Sequence, residues 1–216
     1  MATAEPTGWL RDPAAIYRLS FARVRAATSI DDRLPGERAI AWRVVHACAM
    51  PEIAAALVFS GDPWRAGRQA LLAGAAVLAD CAMLEAGIDR SRLPPGAMVR
   101  CTLRDPQVTG LARTLATTRS AAAVELWRPW LQGAVVVIGN APTALFQLLD
   151  RLRVWTERPA AILAFPVGFV GAAESKQALV EAGLGVPFVT LPGRLGGSAM
   201  AAAACNALLY EPEPFE

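Results

Sequence analysis

Histidine is nearly absent from this chain: His46, in RVVHACAM, is the only one in 216 residues. One imidazole excludes a multi-histidine metal centre, and His46 with Cys48 supplies only two candidate ligands, so no metal is expected. Cysteine is also sparse, and Cys48, Cys81, Cys101 and Cys205 form no CxxC pair, which removes zinc-ribbon and thioredoxin-type readings. Charge of one sign is lacking: the net charge is +2, and no bulk field favours nucleic acid. Among 21 cationic residues only Lys176 is a lysine. GC-rich coding explains such a bias blandly, whereas guanidinium forks also suit a ligand bearing several carboxylates. The stretch MATAEPTGWLRD has no basic start followed by an apolar core, so no secretory leader is expected and a cytoplasmic setting with reduced thiols is. The longest uncharged run, Pro129 to Leu149, reaches the roughly 20 residues of a membrane span. Gly133, Gly139, Asn140 and Pro142 divide it into strand, turn and helix, and no membrane segment is expected. Nucleotide and hydrolase signatures are missing as well: no GxGxxG follows the first strand, and no GxxxxGK[ST] or GxSxG occurs.

What is present is apolar and periodic. Hydrophobic residues make up 54% and charged residues 19%, the balance of a folded chain. IYRLSFARVRAA has helical spacing after Pro13, and a second helix is expected from Pro35-Gly36 to about Met50, ahead of Pro51. A pattern then repeats. Apolar strands are expected at 75–80, 97–103, 134–139, 160–165 and 187–193, each followed by a helix, the longest spanning TGLARTLATTRSAAAVELWRPWL. Strands apolar along their whole length and alternating with helices indicate a parallel sheet covered on both faces. The expectation is a three-layer α/β/α sandwich with five mainly parallel strands and N-terminal helices packed onto it. It is read as one domain over 1–216, with 1–12 and 210–216 as loose ends.

In such sheets ligands sit at the carboxyl ends of the strands. IGNAPTALF offers Asn140 as a helix N-cap, Pro142 in the first turn and Thr143 beside it. FPVGFVGAAESK places Gly168 and Gly171 where backbone can approach a ligand, and LPGRLGGSAMAA sets Arg194 beside Gly196 and Gly197. Singly these are ordinary connections; together they read as an anion-binding rim. Thr117, Thr118, Arg119 and Ser120 fit a capping motif or a carboxylate site equally. From its spacing alone, His46 reads first as a satisfied core histidine.

Eight strings in register then carry a family resemblance: IYRLSFARVRA, RVVHACAMPE, ALLAGAAVLADCAML, CTLRDP, TTRSAAAVELW, VVIGNAPTALFQLL, PVGFVGAAESKQAL and GRLGGSAMAAAA. From about Asp12 to Leu208 the chain resembles the precorrin-8X methylmutases of cobalamin biosynthesis and their cobalt-precorrin-8 relatives. The resemblance implies a flavodoxin-like sandwich, a homodimer with pockets near the interface, and no redox or organic cofactor. It further implies a corrinoid (tetrapyrrole) substrate whose methyl group moves from C11 to C12, giving hydrogenobyrinate. It assigns the catalytic proton donor to His46. Ser20, Arg43, Thr118, Arg119, Ser120, Asn140, Thr143, Gly168, Phe169, Lys176, Arg194, Gly196 and Gly197 fall on positions implied to hold the substrate. Alternatives are the cobalt-bearing substrate of the anaerobic route and a non-catalytic tetrapyrrole carrier; a module binding a small anion is supported by fold alone.

Overall fold

The computed structural model describes residues 9–212. In chain order the elements are α1 (Pro13–Ala27), α2 (Pro35–Cys48), α3 (Ile53–Ala56), β1 (Val58–Ser60), α4 (Pro63–Leu72), β2 (Val77–Ala79) and α5 (Ala82–Gly87). A 3-10 turn (Arg90–Arg92), β3 (Val99–Cys101), α6 (Gln107–Thr114), α7 (Arg119–Glu125) and α8 (Arg128–Leu131) follow. The chain closes with β4 (Val135–Ile138), α9 (Pro142–Val154), β5 (Ala161–Ala164), α10 (Ala172–Glu181), β6 (Phe188–Thr190) and α11 (Ser198–Ala207).

The sheet has six strands in the order β1-β6-β5-β4-β2-β3. Five are parallel neighbours, and β1 pairs antiparallel with β6, placing Val58 against Thr190. The sheet is therefore mixed, which corrects the five-strand expectation: a three-residue edge strand straight after a short helix leaves no periodicity to read. Alternate residues feed two cores. Val77, Ala79, Val135, Val137, Leu163 and Val189 face the side covered by α2, α5 and α11. Leu78, Val136, Ile138, Ile162 and Ala164 face the side covered by α9, with Val124 and Trp127. Each fully buried Val, Leu or Ile contributes about 1.5–3 kcal/mol.

Local chemistry sets the helix ends. The Asp12 carboxylate accepts from the N–H groups of Ala14 and Ala15 at 3.2 and 3.1 Å, ahead of Pro13 at the first helical position. Helix α2 stops at Ala49, whose backbone is left-handed with φ 56°. The expected long helix from 109 to 131 is broken into α6, α7 and α8. Ala116 turns to φ 47°, and the Thr118 hydroxyl accepts from the Ala121 N–H at 3.2 Å, starting a new helix. Asn140 is not the cap of α9. Ala141 holds that position without a side-chain cap bond, while Pro142 occupies the first turn as expected.

Residues 9–12 are exposed, and expectations for 1–8 and 213–216 lie outside the described residues. Tyr210 and Glu211, expected within a loose end, are tied down. Tyr210 meets the guanidinium groups of Arg43 and Arg92, and Glu211 pairs with Arg68. Among the described residues no helix is long and apolar enough to cross a membrane.

Candidate active site

His46 lies in the last turn of α2, on the side that faces solvent rather than the sheet. The core-histidine reading is thereby removed. Ser20 Oγ, one helix away on α1, stands 2.9 Å from His46 Nδ1. The next residue, Phe21, is fully buried and stacks on the imidazole with centroids 4.8 Å apart and planes 19° from parallel. Tyr17 meets the same ring edge-on at 6.4 Å. Three residues spaced along one face of α1 thus fix the ring's position and tilt. Around it, Leu10, Ile16, Leu19, Val24, Ala27 and Pro51 line an open cavity of about 420 Å³. Burial, and secondarily the charge of Arg43, hold His46 below the ordinary histidine pKa. Once protonated, the ring donates Nδ1–H to Ser20 and keeps Nε2–H for a ligand. The site can therefore deliver one proton into an apolar groove.

A second constellation forms at the carboxyl end of the sheet. The buried Asp80, just after β2, accepts from the N–H groups of Gly139, Asn140 and Ala141 at 2.9, 2.9 and 2.7 Å. Burial pushes its carboxyl up from the ordinary value, and the three amides pull against that. A side chain thus fills the anion site that the start of α9 would otherwise offer. Sequence reasoning passed over Asp80, although a lone acid ending the apolar strand AAVLAD was its signal. Thr118 and Thr143 join α7 to α9 through their hydroxyls at 2.8 Å. Arg119 is exposed, and its Nη2 reaches the Leu103 carbonyl at 3.4 Å. Ser120 is half-buried beside it.

The remaining rim residues converge on one another. The Gly168 N–H donates to the Arg194 carbonyl at 3.3 Å, and the Arg194 guanidinium lies 5.1 Å from the Phe169 ring centroid. Phe169 and Val170 are 87% and 89% exposed, an unusual placement for apolar residues at the tip of a turn. Gly196 is obligatory: a Cβ there would come within 2.3 Å of the Phe165 carbonyl oxygen. Gly197 donates its N–H to that same oxygen at 2.8 Å. Two of the residues implied to hold the substrate are buried. Lys176 is 1% exposed, with Nζ donating to the Leu195 carbonyl at 2.6 Å, so it braces the 194–197 loop from below. Arg43 is 8% exposed beneath Phe21. No hydrogen bond among the described residues joins His46 or Ser20 to the rim.

Comparison with known proteins agrees with this architecture. A family model described as precorrin-8X methylmutase (CbiC) matches residues 15–211. A precorrin-8X methylmutase of Pseudomonas aeruginosa is 53% identical, covering 95% of this chain and 99% of that one. A cobalt-precorrin-8 methylmutase of Salmonella typhimurium is 40% identical, covering 82% of each chain. The crystal structure of a precorrin-8X methyl mutase from Thermus thermophilus superimposes with a TM-score of 0.81 at 39% identity, covering 90% of this chain and 94% of that one.

An α/β scaffold with one positioned imidazole in an apolar groove, allied to these relatives, defines an isomerase of the methylmutase class. The chain belongs to the precorrin-8X methylmutase family, whose place is in cobalamin biosynthesis.

Proposed function

We propose that this chain converts precorrin-8X to hydrogenobyrinate by moving one methyl group from C11 to C12, with His46 as the proton donor. The observation that carries this reading is the Ser20–His46 pair opening into the apolar groove, with the ring clamped by Phe21. Substrate and product are isomers, so the reaction needs no net oxidant, reductant or co-substrate. A proton delivered to the conjugated ring system makes it electron-poor, the methyl migrates with its bonding pair to the adjacent carbon, and a proton is then lost. A single general acid contributes about 10²–10⁴-fold to such a step.

A macrocycle with several acetate and propionate arms needs more than this groove. The cavity of about 420 Å³ lies in the lower half of the roughly 300–1,000 Å³ typical of small-molecule sites, so it holds the reacting edge of the ring. Exposed Arg119 and Arg194, with Thr118, Ser120, Asn140 and Thr143, suit the carboxylate arms, and Phe169 suits the ring face. A homodimer that sets one such surface beside another is the assembly this division favours. The order of the five parallel strands among themselves, 2-1-3-4-5, supports the flavodoxin-like reading of the single domain. Four cysteines without disulfides suit a cytoplasmic setting.

The test is a spectroscopic assay of purified protein with metal-free and with cobalt-bearing substrate. Turnover of metal-free precorrin-8X, seen as a changed chromophore at unchanged mass, is expected. Binding without isomerisation of either substrate would leave a carrier.

A further inference from the structure

Arg43, which the resemblance implies to face the substrate, is buried and in contact with aromatic rings. Its guanidinium carbon lies 3.5 Å from the Tyr210 ring centroid and 5.4 Å from that of Phe21. Arg92, from the 3-10 turn, meets Tyr210 at 3.9 Å. Phe21 in turn stacks on His46 at 4.8 Å. Tyr210, Arg43, Phe21 and His46 therefore form one continuous stack, running from the chain's C-terminal segment to the proton donor.

Resting on the reading of His46 as the acid, we propose that Arg43 is a positioning residue for that acid, held by Tyr210, and that it sets how readily the imidazole releases its proton. A guanidinium cannot be discharged near neutral pH, so its field on the neighbouring ring is fixed. Among the described residues, cation–π contacts with the Tyr210 and Phe21 rings, the first shared with Arg92, help keep it in place in a desolvated setting where such contacts are strongest. The field disfavours the imidazolium and so favours proton transfer to a bound macrocycle. Carboxylates arriving with the substrate oppose it, so the ring takes up its proton when substrate is present and gives it away into the ring system. Among the described residues, Tyr17 meets the ring edge-on, Arg23 lines the same cavity, and Cys48 lies two residues on with the charge of Glu52 acting on it; α4 and α11, packed against α2, carry Arg68 and Cys205. Arg43 stands one helical turn before His46 on α2, so its charge adds to burial in disfavouring the imidazolium.

Because His46 is the sole histidine, its titration in the untagged full-length protein is one isolated curve by NMR. Arg43→Gln should move the midpoint upward toward the ordinary histidine value, and Arg43→Lys, which keeps the charge, should restore much of the wild-type position. Tyr210→Leu should also move it upward, and Tyr210→Phe, which keeps the ring, should leave it in place. The pH dependence of kcat should follow the same order. Should Arg43→Gln fail to fold, the Tyr210 pair decides alone: equal midpoints for Leu and Phe overturn the proposal. Wild-type midpoints in folded Arg43→Gln overturn it as well. Shifted midpoints with no matching shift in turnover would leave this electrostatic coupling standing and refute His46 as the acid.

Discussion

At the scale of single residues, the chemistry narrows to an imidazole that is open to solvent on one side and packed on the other. Burial and Arg43 lower its pKa, which makes the protonated ring a better acid and a scarcer one in the free enzyme. On the proposed reading of His46 as the acid, the imidazolium form is the active one. Thus kcat/KM should be level at low pH and fall as pH rises through a value below that of an ordinary histidine. Substrate carboxylates favour the charged ring, so the midpoint for kcat should lie higher. A pH–rate profile checks both, and a kcat/KM that rises with pH across this range contradicts the assignment. In the proposed reading Arg119 serves binding rather than proton transfer. Its exposed guanidinium should make a charge-assisted contact worth about 1.5–3 kcal/mol. Arg119→Ala should weaken product affinity by roughly 10–100-fold, measured by absorbance titration, with a smaller effect on conversion of bound substrate.

At the scale of elements, what could be read from the sequence divides by whether the signal is local. Helix α2 was legible because Pro35 opens it and Pro51 follows its end. The buried strands were legible because VVVI and AILA are apolar throughout. Strand β1 was not, since its three residues are defined by pairing with β6. The break after α6 depends on the left-handed Ala116, a conformation that alanine's composition does not announce. At the candidate site, the resemblance singled out His46 and Ser20 and the glycines marked the 194–197 loop, whereas the stack beneath His46 joins residues far apart in sequence. Asp80 was missed for a related reason: its partners, the amides of 139–141, carry no side-chain signature. It fixes the turn between β4 and α9, which holds Asn140 and leads into Thr143 at the start of the helix. Asp80→Ala should leave three amides without their acceptor and lower stability by about 3 kcal/mol. Asp80→Asn, which keeps an oxygen, should recover part of that. An unchanged denaturation midpoint in Asp80→Ala would show that the turn stands without it.

At the scale of the whole molecule, the packing that supports the site carries a measurable signature of its own. Lys176 is buried under the 194–197 loop, and desolvation lowers its pKa from 10.5 to about 8. The unfolded chain holds that proton more tightly than the folded one between these values. Stability therefore rises with pH from about 8 toward 10.5 through this residue, and the proton it must carry opposes folding below that window. Urea midpoints of the wild type should show this rise, and Lys176→Met should abolish it; identical pH trends would contradict the burial. The sheet, its two cores and the clamped C-terminal segment thus present two surfaces: an acid-bearing groove on α1 and α2, and an arginine-bearing rim at the strand ends. The most direct measurement of whether the first surface does the chemistry is a single-turnover experiment. It mixes precorrin-8X with excess wild-type or His46→Ala protein and follows the absorption spectrum. The variant should bind the tetrapyrrole yet isomerise it about 10²–10⁴-fold more slowly, whereas conversion at the wild-type rate would contradict proton donation by His46.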